Sequence, residues 1–372
     1  MARYDAIVVG AGPAGSTTAY RLSRAGARVC LLDRARFPRD KPCGGGLTLR
    51  AVRELPFDVD PVVEDRIQAL ELGFRYERRW SGHAARPLIL MTQRRRLDAF
   101  LAERAEEAGA EFRQRVKVTA VDSDGNVVAG GERLRADVII GADGANGITT
   151  RARAAIEYGV GLEGNLGYEH VPRDRFRGRA VVELGVVPGG YAWVFPKGDH
   201  VNVGVGGWES EAPRLRRRLR EACDGYCLDA DALADVRGHR LPMRGATLVP
   251  VRGRVALVGD AAALVDPLSG DGMYEAFVSG RLASEAALDL LAGRTDSLEP
   301  YAARFVATFA PLETLSRRAK LGFERFPRLA YTIAKTPPAW RLFQAVVRGE
   351  RTAVEKNGLR SAPLRVLATL GS

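Results

Sequence analysis

Histidine and cysteine are scarce in this chain, with four of each among 372 residues. The cysteines stand at 30, 43, 223 and 227. Only Cys223 and Cys227 lie near one another, and neither a second cysteine pair nor a histidine pair accompanies them, so the donor spacing of a zinc site is missing and no metal is expected. His83, His170, His200 and His239 share no motif and read as surface or structural residues. No run of 18 apolar residues occurs, which excludes a membrane-spanning helix. No signal-peptide pattern precedes the first strand near Tyr4, so a reducing, cytoplasmic location is expected. Peripheral contact at the inner face of a membrane is compatible with that location. A net charge of +11 comes without any zinc-finger, RRM or basic-zipper pattern, so nucleic acid is not an expected partner. An arginine-rich composition, or attraction to anionic lipids or substrates, accounts for the charge.

The length exceeds what a single core usually spans, so two intimately joined domains are expected. Residues 4–33 read as strand, tight turn, helix and strand. The first strand is mostly apolar, as a buried parallel strand should be, and the helix, predicted over 16–25, stops at Gly26. Helical spacing returns at 94–109, and 112–121 alternates as a strand. Asp124-Gly125 marks a hairpin turn, and 136–140 is a further strand. Between about 160 and 210, alternating β-branched and aromatic residues with glycine turns predict an antiparallel sheet. A buried strand at 254–258, a long helix at about 272–291 and a helical tail complete the pattern.

Gly10-Ala11-Gly12-Pro13-Ala14-Gly15 is a GxGxxG turn between the first strand and helix. Gly10 permits the turn, Gly12 lets backbone approach a pyrophosphate, and Gly15 lets helix and strand pack closely. The helix N-terminus offers unpaired N–H groups to phosphates. Asp33, 18 residues after Gly15, is placed to accept hydrogen bonds from a ribose.

Arg254 to Ala262, with Gly259-Asp260, resembles the GD motif of flavoprotein hydroxylases and their relatives, in which the aspartate binds the ribityl chain of FAD. Ile140 to Ala145, containing Asp143-Gly144, resembles their DG fingerprint. Arg94 resembles the arginine near the FAD pyrophosphate, and Val118 falls where the family's backbone meets adenine. The resemblance therefore implies FAD as cofactor. Gly270 and Gly272 leave room for the isoalloxazine ring. The positive end of the helix that begins near Gly272 and Met273 can face the ring's pyrimidine side.

Two further segments narrow the resemblance. Pro42-Cys43-Gly44-Gly45 is similar to the PCGG loop of geranylgeranyl reductases, whose cysteine and glycines border the flavin. Tyr191-Ala192-Trp193-Val194-Phe195-Pro196 is similar to the YxWxFP motif of that family, at the floor of its prenyl cavity. Asp271 departs from it, since the family usually has Glu or Gly there. Alternation puts Tyr191, Trp193 and Phe195 on one strand face, which suits an isoprenoid chain, although a sheet packing on a core would look the same. Cys43 and Tyr191 are the named candidates for a catalytic proton source, beside a held water.

The expected fold is α/β: a Rossmann-like FAD-binding domain (1–75 with 94–150 and 246–292), interrupted by an antiparallel-sheet substrate domain (76–93 with 151–245) and followed by a helical C-terminal region (293–372). The implied activity is reduction of isolated C=C bonds in polyprenyl chains of a lipid, quinone or terpenoid. No second GxGxxG domain for NAD(P)H is read from the chain, so the electron donor, NAD(P)H or ferredoxin, comes from outside. A flavin monooxygenase, a flavin-dependent halogenase and a non-catalytic flavoprotein are the alternatives. For the halogenase, no lysine here matches its catalytic one. In the tail, 323–331 and 339–348 mix aromatics with arginine and suit either a headgroup layer or helices packed on a sheet.

Overall fold

The apolar opening run is the strand Ala2–Val9, at the middle of an eight-stranded sheet in the computed structural model, which describes residues 2–150, 156–245, 249–351 and 369. It pairs in parallel with Glu132–Gly141 on one side and Val29–Leu32 on the other, leaving Ala6, Ile7 and Val8 fully buried. Glu132–Gly141 pairs in turn with Val255–Leu257, also in parallel. Segments far apart in sequence thus bring the ends of their strands to one edge, where ligands of open α/β sheets bind. Helices Pro13–Arg24, Arg94–Glu107 and Met273–Leu291 pack together beside this sheet. Helix Glu299–Arg325 adds Tyr301, Phe305 and Phe309 to the same core.

A seven-stranded sheet runs in the order 234–242, 158–167, 200–208, 191–196, 179–184, 69–74, 78–83. It is antiparallel apart from one parallel pair, Arg179–Leu184 with Ala69–Phe74. Ala192, Val194, Val203 and Val205 share one face and pack against helix Leu215–Gly225. The opposite face looks toward the nucleotide-binding half. A small sheet of Gly46–Thr48, Ile89–Met91 and Asp65–Ile67 joins the two halves.

Three expectations need correction. The first helix starts at Pro13 rather than 16, because proline's fixed φ suits the first helical position and its missing N–H is no loss there. The strand expected at 112–121 is two short ones, Glu111–Arg113 and Val118–Val121. Arg115 between them takes a positive φ of 60°, and the Arg115 and Val116 amides bond to the carbonyls of Ala35 and Asp33. Finally, Ala69–Phe74, expected within the nucleotide-binding part, pairs in the second sheet with Arg179–Leu184. Local periodicity does not reveal which sheet a strand joins. The boundary expected at 150–151 abuts residues 151–155, and that at 245–246 abuts 246–248, both outside the described residues.

The tail helices Pro327–Ala334 and Pro337–Val347 lie over the 69–83 edge. Tyr331 packs on Phe74 and Trp340 on Trp80, each with ring centroids 5.4 Å apart. No helix among the described residues is long and apolar enough to cross a membrane.

Candidate active site

The strand ends and the inner face of the seven-stranded sheet enclose one continuous cavity of about 710 Å³, within the usual range for cofactor and ligand sites. At one end stands the glycine turn. Gly10 has φ 100°, and a Cβ there would overlap the carbonyl of Ala142. A Cβ on Gly15 would overlap the carbonyl of Gly10, so this glycine serves helix–strand contact and does not line the cavity. Gly12 by contrast faces open space, and the nearest atom to a Cβ placed there is in the Arg39 guanidinium, 3.6 Å away. Helix Pro13–Arg24 has no side-chain N-cap, so its first N–H groups point unclaimed into that space.

Asp33 borders the same end, its Oδ2 accepting from the Ala11 amide and its Oδ1 from the Ala35 amide, both at 2.8 Å. Arg94 donates twice to Asp98, at 2.7 and 2.8 Å, and Arg39 reaches the same carboxylate at 2.9 Å. Both guanidiniums line the cavity with Lys41, which bonds Asp260 at 3.0 Å. Burial opposes ionisation of Asp260, yet Lys41, with His239 and Arg94, outweighs it and holds the carboxyl below its ordinary range. Asp143 is pushed up by burial, with partial relief from hydrogen bonds donated by the Thr149 amide and hydroxyl.

At the other end Gly270, Gly272 and Met273 open helix Met273–Leu291, whose Met273 amide donates to Asp271 Oδ1 at 2.8 Å. Tyr191, Trp193 and Phe195 form the facing wall. Tyr191 donates to the Ser269 carbonyl at 2.5 Å, and burial moves its hydroxyl well above the ordinary phenol value. Between the ends lies the Cys43-Gly44-Gly45 loop. Any Cβ on Gly44 would press within 2.9 Å of the Phe195 ring. The Gly45 amide points at Cys43 Sγ at 3.4 Å.

The structure therefore brings together Gly10, Gly12, Pro13, Ala14, Asp33, Cys43, Gly44, Gly45, Arg94, Asp143, Tyr191, Trp193, Phe195, Gly259, Asp260, Gly270, Gly272 and Met273. Val118 is not with them. It sits in a ribbon with 126–129, and it is Val116 whose amide bonds the Asp33 carbonyl. Pro196 is absent too, because strand alternation turns it to the opposite face with Ala192 and Val194.

Sequence reasoning missed several neighbours. His239, read as surface or structural, faces this cavity. Burial and the nearby Lys41 lower its pKa to about 4, and its Nε2 is buried without a hydrogen-bond partner among the described residues. Glu163 accepts from the Cys43 amide at 2.6 Å. Lys197, lowered to about 8 by burial, donates to the carbonyls of Gly44 and, at 2.9 Å, Thr92. Single charged residues in alternating strands carry no local signal. Only the pairing register, which aligns His239 with Gly161 and Glu163 with Gly204, discloses them.

An elongated cavity with an uncapped helix N-terminus at the glycine turn, a basic middle and an aromatic end fits a dinucleotide bearing a planar ring, as a flavin-dependent oxidoreductase requires. Residues 3–168 match the FAD binding domain model and 174–227 match the geranylgeranyl reductase catalytic domain model. The chain is 33% identical over 311 residues to the menaquinone reductase of Mycobacterium tuberculosis, covering 76% of each. It is 33% identical over 318 residues to digeranylgeranylglycerophospholipid reductase 1 of Methanopyrus kandleri, covering 77% of this chain and 81% of that one. The solved structure of a geranylgeranyl bacteriochlorophyll reductase-like protein from Thermoplasma acidophilum superposes with TM-score 0.80 at 21% identity, over 99% of this chain and 100% of that one. This chain belongs to the geranylgeranyl reductase family of FAD-dependent oxidoreductases, and FAD is its cofactor.

Proposed function

We propose that this protein reduces isolated carbon–carbon double bonds in polyprenyl chains of a lipid, quinone or terpenoid. The observation that carries this reading is the continuity of the nucleotide cavity with the Tyr191-Trp193-Phe195 wall, which lets an apolar chain reach the ring end of the cofactor. Gly10, Gly12, the open turn of helix Pro13–Arg24, Arg39 and Arg94 would hold the adenosine and pyrophosphate. Asp260, Gly270, Gly272 and Met273 would hold the ribityl chain and ring. Bound there, reduced FAD supplies a hydride.

An isolated alkene has no carbonyl to polarise it, so the protein's part is to exclude water, align the alkene and present a proton. Trp193 and Phe195 supply a dry wall, and the Trp193 indole is fixed by donating to Asn202 at 2.8 Å. Tyr191, fixed on the Ser269 carbonyl, ties this wall to the ring-end loop. Reducing equivalents reach the site from NAD(P)H or ferredoxin.

The test is anaerobic. Protein reduced with dithionite is mixed with geranylgeranyl lipids, with the flavin spectrum followed and the lipid weighed by mass spectrometry. Reoxidation with a gain of hydrogen pairs supports the reading. Reoxidation only on admitting oxygen, with oxygen in the product, assigns a monooxygenase instead.

A peripheral membrane contact is part of the proposal. Phe326 and Leu329 are exposed beside Arg325 and Arg328 on the tail helices, which suits an anionic headgroup layer. Flotation with anionic liposomes should carry the protein upward, and Phe326→Ser with Leu329→Ser should abolish this. Wild-type protein that stays with the buffer overturns the contact.

A further inference from the structure

We infer that Glu163 is the acid that protonates the alkene, a carboxyl group set on the aromatic wall's own sheet face and against the Cys43 loop. This rests on the prenyl-reduction reading above.

The placement follows from register. Glu163 pairs across to Gly204, and Gly204 pairs across to Trp193, so the carboxyl and the indole stand on one face of three adjacent strands with no side chain between them. The next row holds His239, Gly161, Gly206 and Tyr191 in the same way. Three glycines, Gly161, Gly204 and Gly206, thus leave a furrow over which the Trp193 ring lies, with Glu163 and His239 on one bank and Tyr191 on the other, and all four side chains line the cavity.

Four other groups at the cavity have their protons committed or lack them, and the Cys43 thiol is the rival donor. Tyr191 donates to Ser269, and Lys197 donates to Gly44 and Thr92. His239, at about 4, carries no extra proton at neutral pH. Burial pushes Asp271 up as well, but it accepts from the Met273 amide at 2.8 Å and turns its other oxygen toward Arg50 at 3.9 Å, as an anion at a helix start does. Glu163 is different. Burial moves it upward, toward the protonated form, while the Cys43 amide and Lys197 stand ready to stabilise the carboxylate left after transfer. A carboxyl shifted toward its protonated form, with its conjugate base already met by protein groups, is suited to giving a proton to carbon. The charged groups facing it are Lys197 at the end of the 191–196 strand and Asp40 before the Cys43 loop. Arg237, across the ladder on the 234–242 strand, is turned away to Asp40 and Asp235.

In the step, the Glu163 O–H bond breaks and a C–H bond forms at the alkene carbon next to the one receiving hydride. The alkene is reduced, the flavin is oxidised, and Glu163 regains one proton from water for each double bond.

Glu163→Gln, Glu163→Asp and Cys43→Ser are compared with wild type in single-turnover reoxidation by a geranylgeranyl lipid from pH 5 to 9. Glu163→Gln should lose at least about 100-fold at equal flavin content and melting temperature, and Glu163→Asp should recover part of it. In wild type the rate should fall as pH rises through the Glu163 titration. A second readout uses flavin-free protein: the pH profile of Cys43 alkylation by iodoacetamide, followed by peptide mass spectrometry. Ionised Glu163 beside the loop should add an inflection that Glu163→Gln removes. A Glu163→Gln enzyme within about threefold of wild type, while Cys43→Ser is dead, overturns the assignment and passes it to the thiol. A wild-type enzyme that no prenyl lipid reoxidises overturns the substrate reading, and the role of Glu163 with it.

Discussion

Glu275, in the first turn of the helix at the flavin's ring end, offers a stability test independent of turnover. Its side chain is almost wholly buried. One oxygen faces Arg244 at 3.1 Å, and the other has no hydrogen-bond partner among the described residues. Arg244 also holds Asp266 at 2.7 Å, while Arg50 approaches Asp271 at 3.9 Å, so two guanidiniums serve three carboxyls. The cluster carries one negative charge too many unless a proton stays. Burial first, and the neighbouring Asp271 second, raise Glu275 to about 8. A folded pKa above the unfolded one means that the native state binds more protons between roughly pH 4.5 and 8. Stability is therefore present below that window, falls across it and is level above it.

Ionising this carboxyl in the folded state costs on the order of 5 kcal/mol, from the ordinary value to about 8. Glu275→Gln copies the neutral acid and still accepts from Arg244. At pH 5 the variant and wild type should unfold together. At pH 9 the variant should be the more stable, by an amount approaching that figure, or about 5 °C in melting temperature for a chain of this length. Differential scanning fluorimetry of flavin-free protein from pH 5 to 9 measures this. Taking the difference between the two proteins cancels the buried lysines, which in the folded state also titrate at about 8. Parallel curves across the whole range would falsify the reasoning, because they mean the carboxyl is already ionised at pH 5.

Other expectations follow from the same geometry. Gly10→Ala forces a side chain into the Ala142 carbonyl at a φ of 100°, so the purified variant should be colourless and fail to take up FAD on reconstitution. Asp98→Asn leaves Arg94 and Arg39 sharing a neutral partner in a buried site, which should lower stability by about 3 kcal/mol in urea titrations and weaken flavin binding. Gly206→Leu fills the furrow beside Trp193, so KM for a geranylgeranyl substrate should rise at least about tenfold while flavin content stays normal. A Gly206→Leu enzyme with unchanged KM would place the chain elsewhere.

Much of the nucleotide half could be read directly, because its demands are local. A tight turn between a buried strand and a helix requires glycines at fixed spacing, and Gly10, Gly12 and Gly15 meet that requirement within six residues. Asp33, Asp143 and Asp260 stand at strand ends for the same reason. Alternation likewise told that Tyr191, Trp193 and Phe195 share a face, though the same rule, applied strictly, would have removed Pro196. Val118 was lost to a bulge-like turn at Arg115, whose backbone conformation leaves no mark in hydrophobic spacing.

What the chain's order of residues settled by itself was a dinucleotide-binding turn, because Gly10, Gly12 and Gly15 act through backbone and its nearest neighbours, and the motif resemblance added the flavin. Tertiary structure alone decided which lone polar residues meet it. Glu163, Lys197 and His239 come from three strands whose mutual register is a property of the whole sheet. Arg244, Asp266, Asp271 and Glu275 become one proton-holding cluster only when helix and loop close over them. Charge and burial are pairwise and long-range quantities, and no window along a sequence contains them.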